Sequence, residues 1–371
     1  MPEDAALRLL SDSPTVQIAS TDEAGRPVLR TVNAVLDGRS VAFHGAPAGE
    51  KMEMLGREAV VQCEETIASV PSYFVDPERA CPATTYYRSV QVHGRLERVD
   101  DPDAKAQVLQ LLMEKLQPEG GHAPVDATTA MYRKAVAGVL VVRVPIERID
   151  GKHKLAQNRT PAEVSRILER LWERGSPGDA RAIDLVRDAN PGASTPAFLR
   201  GPAGTTLRCS LTNDEVAHAV ELVADEYWNA GTVSRHELAH AFQGSSACVG
   251  ARDASGDLIA TARAVSDGAK HAWVYDVGVA PSWRRQGVGG AIVRLLLDHP
   301  AVRRARWVHL QTRDAQRLYA RLGFVDSEEL RAQRPYRSTT MTLQRRPADA
   351  ASDAPRNALR SSAPCAGSTT S

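Results

Sequence analysis

The chain has 371 residues, enough for two domains of ordinary size. Its 46 basic and 45 acidic residues leave a net charge of +1, so no overall field draws it to nucleic acid or to an anionic membrane. The five cysteines form no Cys-x-x-Cys pair, and no apolar stretch has the length of a membrane span or the shape of a signal peptide, so the expected setting is a reducing cytoplasm.

In chain order, Pro2 to Leu10 reads as a short helix with Glu3 and Asp4 in its first turn. Thr15 to Ser20 alternates like a strand, and Asp22 to Pro27 is turn chemistry. Val28 to Leu36 is expected as a second strand, Asp37-Gly38 as a hairpin turn and Ser40 to His44 as a third strand. A short helix around Met52 and Leu55, strands over Ala59 to Gln62 and Tyr86 to Val99, a helix over Pro102 to Leu116 and a last β run over Val139 to Val144 follow. Short strands, tight turns and few helices point to a small barrel.

Thr160-Pro161-Ala162-Glu163 opens a helix, with Pro at its first position and Glu at its third. Val164, Ile167, Leu168 and Leu171 form its apolar face, and Asp179 to Ala189 forms a second helix. Asn190 to Pro196 reads as a linker, which divides the chain into residues 1–190, a linker over 191–206 and a second domain over 207–345. Residues 346–371 are rich in Ala, Ser, Pro and Arg without periodicity, and a disordered tail is expected there.

The second domain is organised around Trp273 to Gly290. An apolar run to Ala280 stops at Pro281. Arg284, Arg285, Gln286, Gly287, Val288, Gly289 and Gly290 follow, and helical spacing begins at Ala291. Strand, loop and helix with glycines at the helix entrance place backbone N–H groups where a helix N-terminus favours an anion. The loop lacks the Gly-Lys-Ser/Thr of a Walker A loop and the third glycine of a dinucleotide loop. Arg-x-x-Gly-x-Gly after a strand resembles instead the pyrophosphate loop of the GCN5-related N-acetyltransferases (GNAT). Upstream, Leu258 to Val265 resembles the strand before that family's acceptor site. Downstream, Trp307 to Thr312 reads as a strand, and Asp314 to Phe324 resembles the family's last helix with its Leu-Tyr…Gly-Phe signature. The resemblance covers about residues 207–343.

The first domain resembles the pyridoxamine-phosphate-oxidase-like split barrel of the nitroimidazole-resistance type, through Phe43 to Lys51, Tyr87 to Arg95 and Lys152 to Arg159. The fold class implied is an N-terminal mainly-β split barrel with flanking helices, joined to a C-terminal α/β (α+β) GNAT fold with a mixed central sheet. The same resemblance implies bound flavin mononucleotide (FMN), with His44 and Lys51 on the phosphate side and Arg30 or Thr31 opposite, and a homodimer with the flavin at its interface. A barrel that has lost its flavin is the competing reading. A bound flavin would not by itself make the domain an oxidase.

The GNAT resemblance implies acetyl-CoA as co-substrate and an amine as acceptor, and a small amine is expected because no basic groove or peptide-like tract points to a polymer. Arg284 to Gly290 would hold the pyrophosphate, and the backbone of Val277, Gly278 and Val279 the pantetheine arm. Tyr319 is the expected general acid, a phenol near 10 facing a thiol near 8.5. The base stays open. Asp276, in an apolar strand, would take the amine proton directly or through water, bind the ammonium, or serve only as a hydrogen-bond acceptor; Asp267 and His271 are weaker candidates. Tyr227 and Trp228 form an acceptor wall or pack in a core. A regulator that binds both ligands without rapid turnover is the alternative. No helix-turn-helix pattern is present for reading DNA.

His236-Glu237-Leu238-Ala239-His240 matches the zinc-protease pattern HExxH, in which two histidines share a helix face and the Glu is base. No Glu lies between 238 and 327 to complete the site, and Ser246 stands where the extended pattern needs its third His. No metal is expected. Ser234 to Gln243 is instead an acceptor-side helix with Leu238, Ala241 and Phe242 packed inward.

Overall fold

A computed structural model describes residues 1–328; the expected tail and the last part of the second domain lie outside the described residues. The N-terminal part begins with α1 (Glu3–Asp12), β1 (Val16–Thr21), β2 (Pro27–Val32), β3 (Ala34–Asp37), β4 (Ser40–Gly45) and α2 (Glu50–Glu53). It continues with β5 (Glu58–Val70), β6 (Thr84–Arg95), β7 (Glu97–Val99), α3 (Pro102–Leu116), α4 (Arg133–Gly138), β8 (Leu140–Pro145) and β9 (Arg148–Lys154). These strands form a five-stranded sheet in the order β2-β1-β5-β6-β9 and a four-stranded sheet in the order β3-β4-β8-β7.

Two expected strands are each divided. The run from Val28 to Leu36 breaks at Asn33, so β2 pairs with β1 while β3 pairs with β4 in the other sheet. The run from Tyr86 to Val99 breaks at the buried Leu96 and changes sheets in the same way. These crossings fold the two sheets around one core that includes Ile18, Phe43, Val61, Val92 and Leu140. Where β6 passes β8 the backbones touch: Glu147 N donates to His93 O at 3.0 Å, and a Cβ on Gly94 would stand 2.0 Å from Pro145 O. The atom met is backbone and not the end of a flexible side chain, so the strand itself would have to shift. Gly94→Ala is therefore expected to cost about 1–3 kcal/mol of stability, seen as a lower melting temperature with the secondary structure retained below it.

Two helices follow, α5 (Pro161–Arg174) and α6 (Asp179–Ala189). α5 starts as expected: Thr160 and Glu163 form a capping box and Pro161 occupies the first turn. It ends at Gly175, in the left-handed conformation at φ 63°. Its buried face joins Ile67, Phe74 and Tyr86 of the barrel to the C-terminal core in one continuous cluster. Trp172 stacks on Phe198 with centroids 4.5 Å apart, and its indole N–H donates to Asp298 at 2.7 Å.

The C-terminal part runs β10 (Thr206–Arg208), α7 (Asn213–Val223), α8 (Arg235–Gln243), β11 (Ala247–Arg252), β12 (Leu258–Ser266), β13 (His271–Val279), α9 (Val288–Asp298), β14 (Trp307–His309) and α10 (Gln316–Ala320). Its sheet has the order β10-β11-β12-β13-β14, antiparallel except for the parallel pair β13/β14. The mixed central sheet expected from the sequence is thus present. β14 is shorter than the run expected over Trp307 to Thr312, because the chain leaves β13 after His309, and α10 covers only part of the run expected over Asp314 to Phe324. Among the described residues no helix is long and apolar enough to cross a membrane.

Candidate active site

β13 pairs with β14 only from His271 to Trp273, opposite Trp307 to His309. Beyond that point the two strands part, and among the described residues no strand pairs with the second half of β13 on that side, which leaves it a free edge there. The gap is a cleft of ≈ 950 Å³ with Val274 to Val279 on one wall and Leu310 to Ala315 on the other.

The β13 wall carries a bulge. Thr261 faces Gly278 but Arg263 faces Tyr275, so β13 has one residue more than β12 over this stretch. Asp276 takes up the extra length at φ 49°, a left-handed conformation costly for a residue with a Cβ. Three donors hold it there. One carboxylate oxygen accepts from Trp228 Nε1 at 3.0 Å and Asn229 Nδ2 at 2.8 Å, and the other from Arg263 Nε at 2.5 Å. Asn229 also donates to Val223 O, which ties the bulge to the end of α7.

Past β13, a short turn over Pro281–Trp283 leads to Arg284. Arg285 adopts φ 63°, and Gly287 caps α9 at φ 86° with no side-chain cap. The first-turn amides of α9 thus have no capping side chain and are available to an anion. Gly289 lines the cleft, while the Val288 side chain is buried in the core. Gly290 lies against Leu318 of α10. Gln286 donates back to Ser282 O at 2.7 Å. Arg284 donates to Val279 O at 2.9 Å and to the Glu226 carboxylate at 2.7 Å.

Tyr319 reaches the cleft from α10 and is 8% exposed. Burial, then the neighbouring Tyr227 and Asp314, pushes its phenol up to about 12. Tyr227 and Trp228 line the cleft and are exposed, which places them on a wall. The Arg313 guanidinium lies 3.6 Å from the centre of the Tyr227 ring, and Arg313 N donates to its hydroxyl at 3.0 Å. The cleft therefore brings together Val277, Gly278, Val279, Arg284, Gly289, Tyr319, Asp276, Tyr227 and Trp228, with Arg285 to Val288 and Gly290 forming the adjoining loop and helix start. Glu226, Asn229 and Arg263 were not singled out in the sequence. For Glu226, the adjacent Tyr227-Trp228 pair was the available signal.

The HExxH pattern has a structural use. Ser234 Oγ accepts from Glu237 N at 3.2 Å and the Glu237 carboxylate accepts from Ser234 N at 2.8 Å, a capping box at the start of α8. These bonds hold the Glu237 carboxyl below its ordinary value. Leu238 and Phe242 are buried and Ala241 partly so. Among the described residues no group of three or more His, Cys, Asp or Glu side chains is placed to hold a metal ion.

In the N-terminal part, a cleft of ≈ 660 Å³ opens beside the end of β4, lined by His44 to Pro47, Met131, Lys134, Ala135, Gly138 and Val139. Lys51 folds back toward β4, so that a Cβ on Gly45 would stand 2.6 Å from its Nζ. Burial, then the Lys51 charge, lowers His44 below its ordinary value; Lys134 lines the cleft, and Lys51 stands next to it without lining it. This donor set fits a phosphate-bearing ligand. Arg30 and Thr31 lie on β2 in the other sheet and do not line this cleft. Lys134, on the α4 that the sequence did not reveal, does.

The family model described as pyridoxamine 5'-phosphate oxidase matches residues 2–153, and that of the acetyltransferase (GNAT) family matches residues 214–324. No curated protein matches the chain. Similar solved structures include a putative 5-nitroimidazole antibiotic resistance protein of Bacteroides thetaiotaomicron, at 18% identity over 40% of this chain and 82% of that one, with a TM-score of 0.32. An FAD and heme binding protein of Mycobacterium smegmatis matches at 21% identity over 41% of this chain and 71% of that one, with a TM-score of 0.35. A putative GNAT-family acetyltransferase of Xanthomonas campestris matches at 25% identity over 37% of this chain and 96% of that one, with a TM-score of 0.32. The chain thus joins a pyridoxamine 5'-phosphate oxidase-like domain to a GNAT-family acetyltransferase domain.

Proposed function

We propose that the C-terminal domain transfers the acetyl group of acetyl-CoA to a small primary amine, and that the N-terminal domain binds a flavin nucleotide. The observation that carries the first part is the convergence on one cleft of the free β13 edge, the uncapped start of α9 and Tyr319. The pyrophosphate of acetyl-CoA sits on the amides of Val288 to Gly290, with Arg284 and Arg285 beside it. The pantetheine arm pairs with the free edge at Val277 to Val279. The thioester then lies near the bulge, where an edge N–H polarises its carbonyl.

The amine lone pair attacks the carbonyl carbon, a C–N bond forms and the C–S bond breaks with its electron pair left on sulfur. Tyr319 donates its proton to that sulfur. A phenol pushed up to about 12 stays protonated at neutral pH, as an acid must. Against a solution thiol near 8.5 the transfer looks steeply uphill. A thiolate forming in the same buried place meets the same desolvation, so the gap narrows toward the solution difference of about 2 kcal/mol. Asp276, with three donors on its two oxygens, is assigned the role of holding the bulge and Trp228 in place.

In the N-terminal domain, Lys51, His44 and Lys134 would hold the phosphate of FMN. A bound flavin would supply hydride or electron transfer. Visible flavin absorbance retained through gel filtration, together with heat released on titrating acetyl-CoA, tests both parts. Lys51→Glu is expected to weaken flavin mononucleotide binding at least tenfold, read by quenching of flavin fluorescence; unchanged affinity would remove Lys51 from the site.

A further inference from the structure

Three carboxylates line the cleft: Asp276, Asp314 and Glu226. Asp276 is filled by Trp228, Asn229 and Arg263. Asp314 is exposed at the rim, 3.4 Å from Arg313. Glu226 stands between them in character. Its side chain is partly shielded, and the ion partner it has is Arg284 at 2.7 Å. Its backbone is fixed independently of that pair, because Glu226 O accepts from both Asn229 N and Ala230 N. Asn229 also grips Asp276, so the backbone at Glu226 is tied to the bulge.

Arg284 opens the anion loop and is half exposed. A pyrophosphate on α9 carries more charge than one carboxylate and competes for the same guanidinium. We propose that Glu226 is the binding site and proton acceptor for a primary ammonium carried on an apolar body, and that Arg284 occupies it until acyl-donor binding draws Arg284 away. The assignment rests on the acetyltransferase reading of this cleft. Tyr227 and Trp228, the next two residues, stand edge-to-face with centroids 4.9 Å apart on the same wall, and the Arg313 guanidinium covers the Tyr227 ring, so Trp228 is the aromatic surface offered beside Glu226.

The proton balance closes with this residue. Glu226 takes one proton from the ammonium and the free amine attacks. Tyr319 protonates the departing sulfur, and the tyrosinate is restored by the proton lost from the nitrogen as the amide forms. Glu226 returns its proton to solvent, so the sum is amide, thiol and one released proton. The arrangement also orders the substrates. Acetyl-CoA binding creates the ammonium site, and by linkage the amine strengthens donor binding by the same factor.

Calorimetry on the full-length protein with CoA and benzylamine as probes tests this. In wild type, benzylamine binds more tightly with CoA present than without it, and benzylamine raises CoA affinity by that same factor. In Glu226→Gln the coupling disappears and benzylamine binding weakens. CoA itself binds about 1.5- to 5-fold more tightly there, since no ion pair has to be broken first. The variant keeps the backbone hydrogen bonds at 226, so its fold is retained. Intact coupling in the variant, or unchanged affinities for both probes, would overturn the proposal while leaving the acetyltransferase reading in place. Failure of both proteins to bind CoA would overturn that reading and this proposal with it.

Discussion

Tyr319→Phe is expected to lower acetyl transfer by about 10²–10³-fold, the range of one general acid, while acetyl-CoA binding is unchanged. The substitution removes one hydroxyl from a ring that otherwise packs edge-on against Phe324, so the packing survives. The pH profile supplies a second readout. Burial raises the phenol to about 12, so the acid form is present at every lower pH and is lost only as pH rises through that value. Wild-type turnover should therefore show no basic limb from Tyr319 below about pH 11. A variant retaining most of its turnover would return Tyr319 to a packing role.

Asp184→Ala is expected to destabilise the protein by about 3–5 kcal/mol, the cost of breaking a buried ion pair from one side. Asp184 lies on α6 and is 1% exposed. It accepts from Cys209 N at 3.2 Å and from Ser210 N and Oγ, each at 2.9 Å, with Arg208 Nε at 3.6 Å. Arg208 in turn grips Asp188 with both terminal nitrogens, at 2.6 and 2.9 Å. Burial works against the Arg208 charge, but Asp184 and Asp188 hold its guanidinium above the ordinary value. Removing Asp184 leaves the amides of Cys209 and Ser210 without their acceptor and takes away the counter-charge 3.6 Å from Arg208 Nε, a buried nitrogen with no hydrogen bond of its own. Asp188 is half exposed, so water can replace part of what it supplies, but it is the acceptor for both terminal nitrogens of the buried Arg208, and Asp188→Ala should cost about 1–3 kcal/mol. Denaturant unfolding of the two variants side by side checks the contrast; equal midpoints would contradict it. The same cluster fixes α6 to the first strand of the C-terminal sheet, and the apolar face of α5 continues that contact into the barrel.

Elements marked by local chemistry were legible in the sequence. Thr160 to Glu163 reads as a helix start and is one, and Arg284 to Gly290 reads as an anion loop and forms a glycine-capped helix entrance. What depends on pairing between distant residues was not. Alternation runs through Asn33 and through Leu96, so the change of sheet at each position has no local signal. Asp276 stood out as a carboxylate in an apolar strand, but its left-handed backbone follows from the register against β12 and from donors on β12 and in the loop after α7. The Glu226–Arg284 pair joins residues 58 apart, and only the folded sheet brings them to one cleft.

The measurement that bears most directly on the central claim is release of free CoA thiol from acetyl-CoA across a panel of primary amines, with each acetylated product weighed by mass spectrometry. The account predicts thiol release matched one for one by an N-acetylated amine in the wild-type protein, and its near-complete loss in Tyr319→Phe. Tight acetyl-CoA binding with no acetylated product from any amine would contradict it.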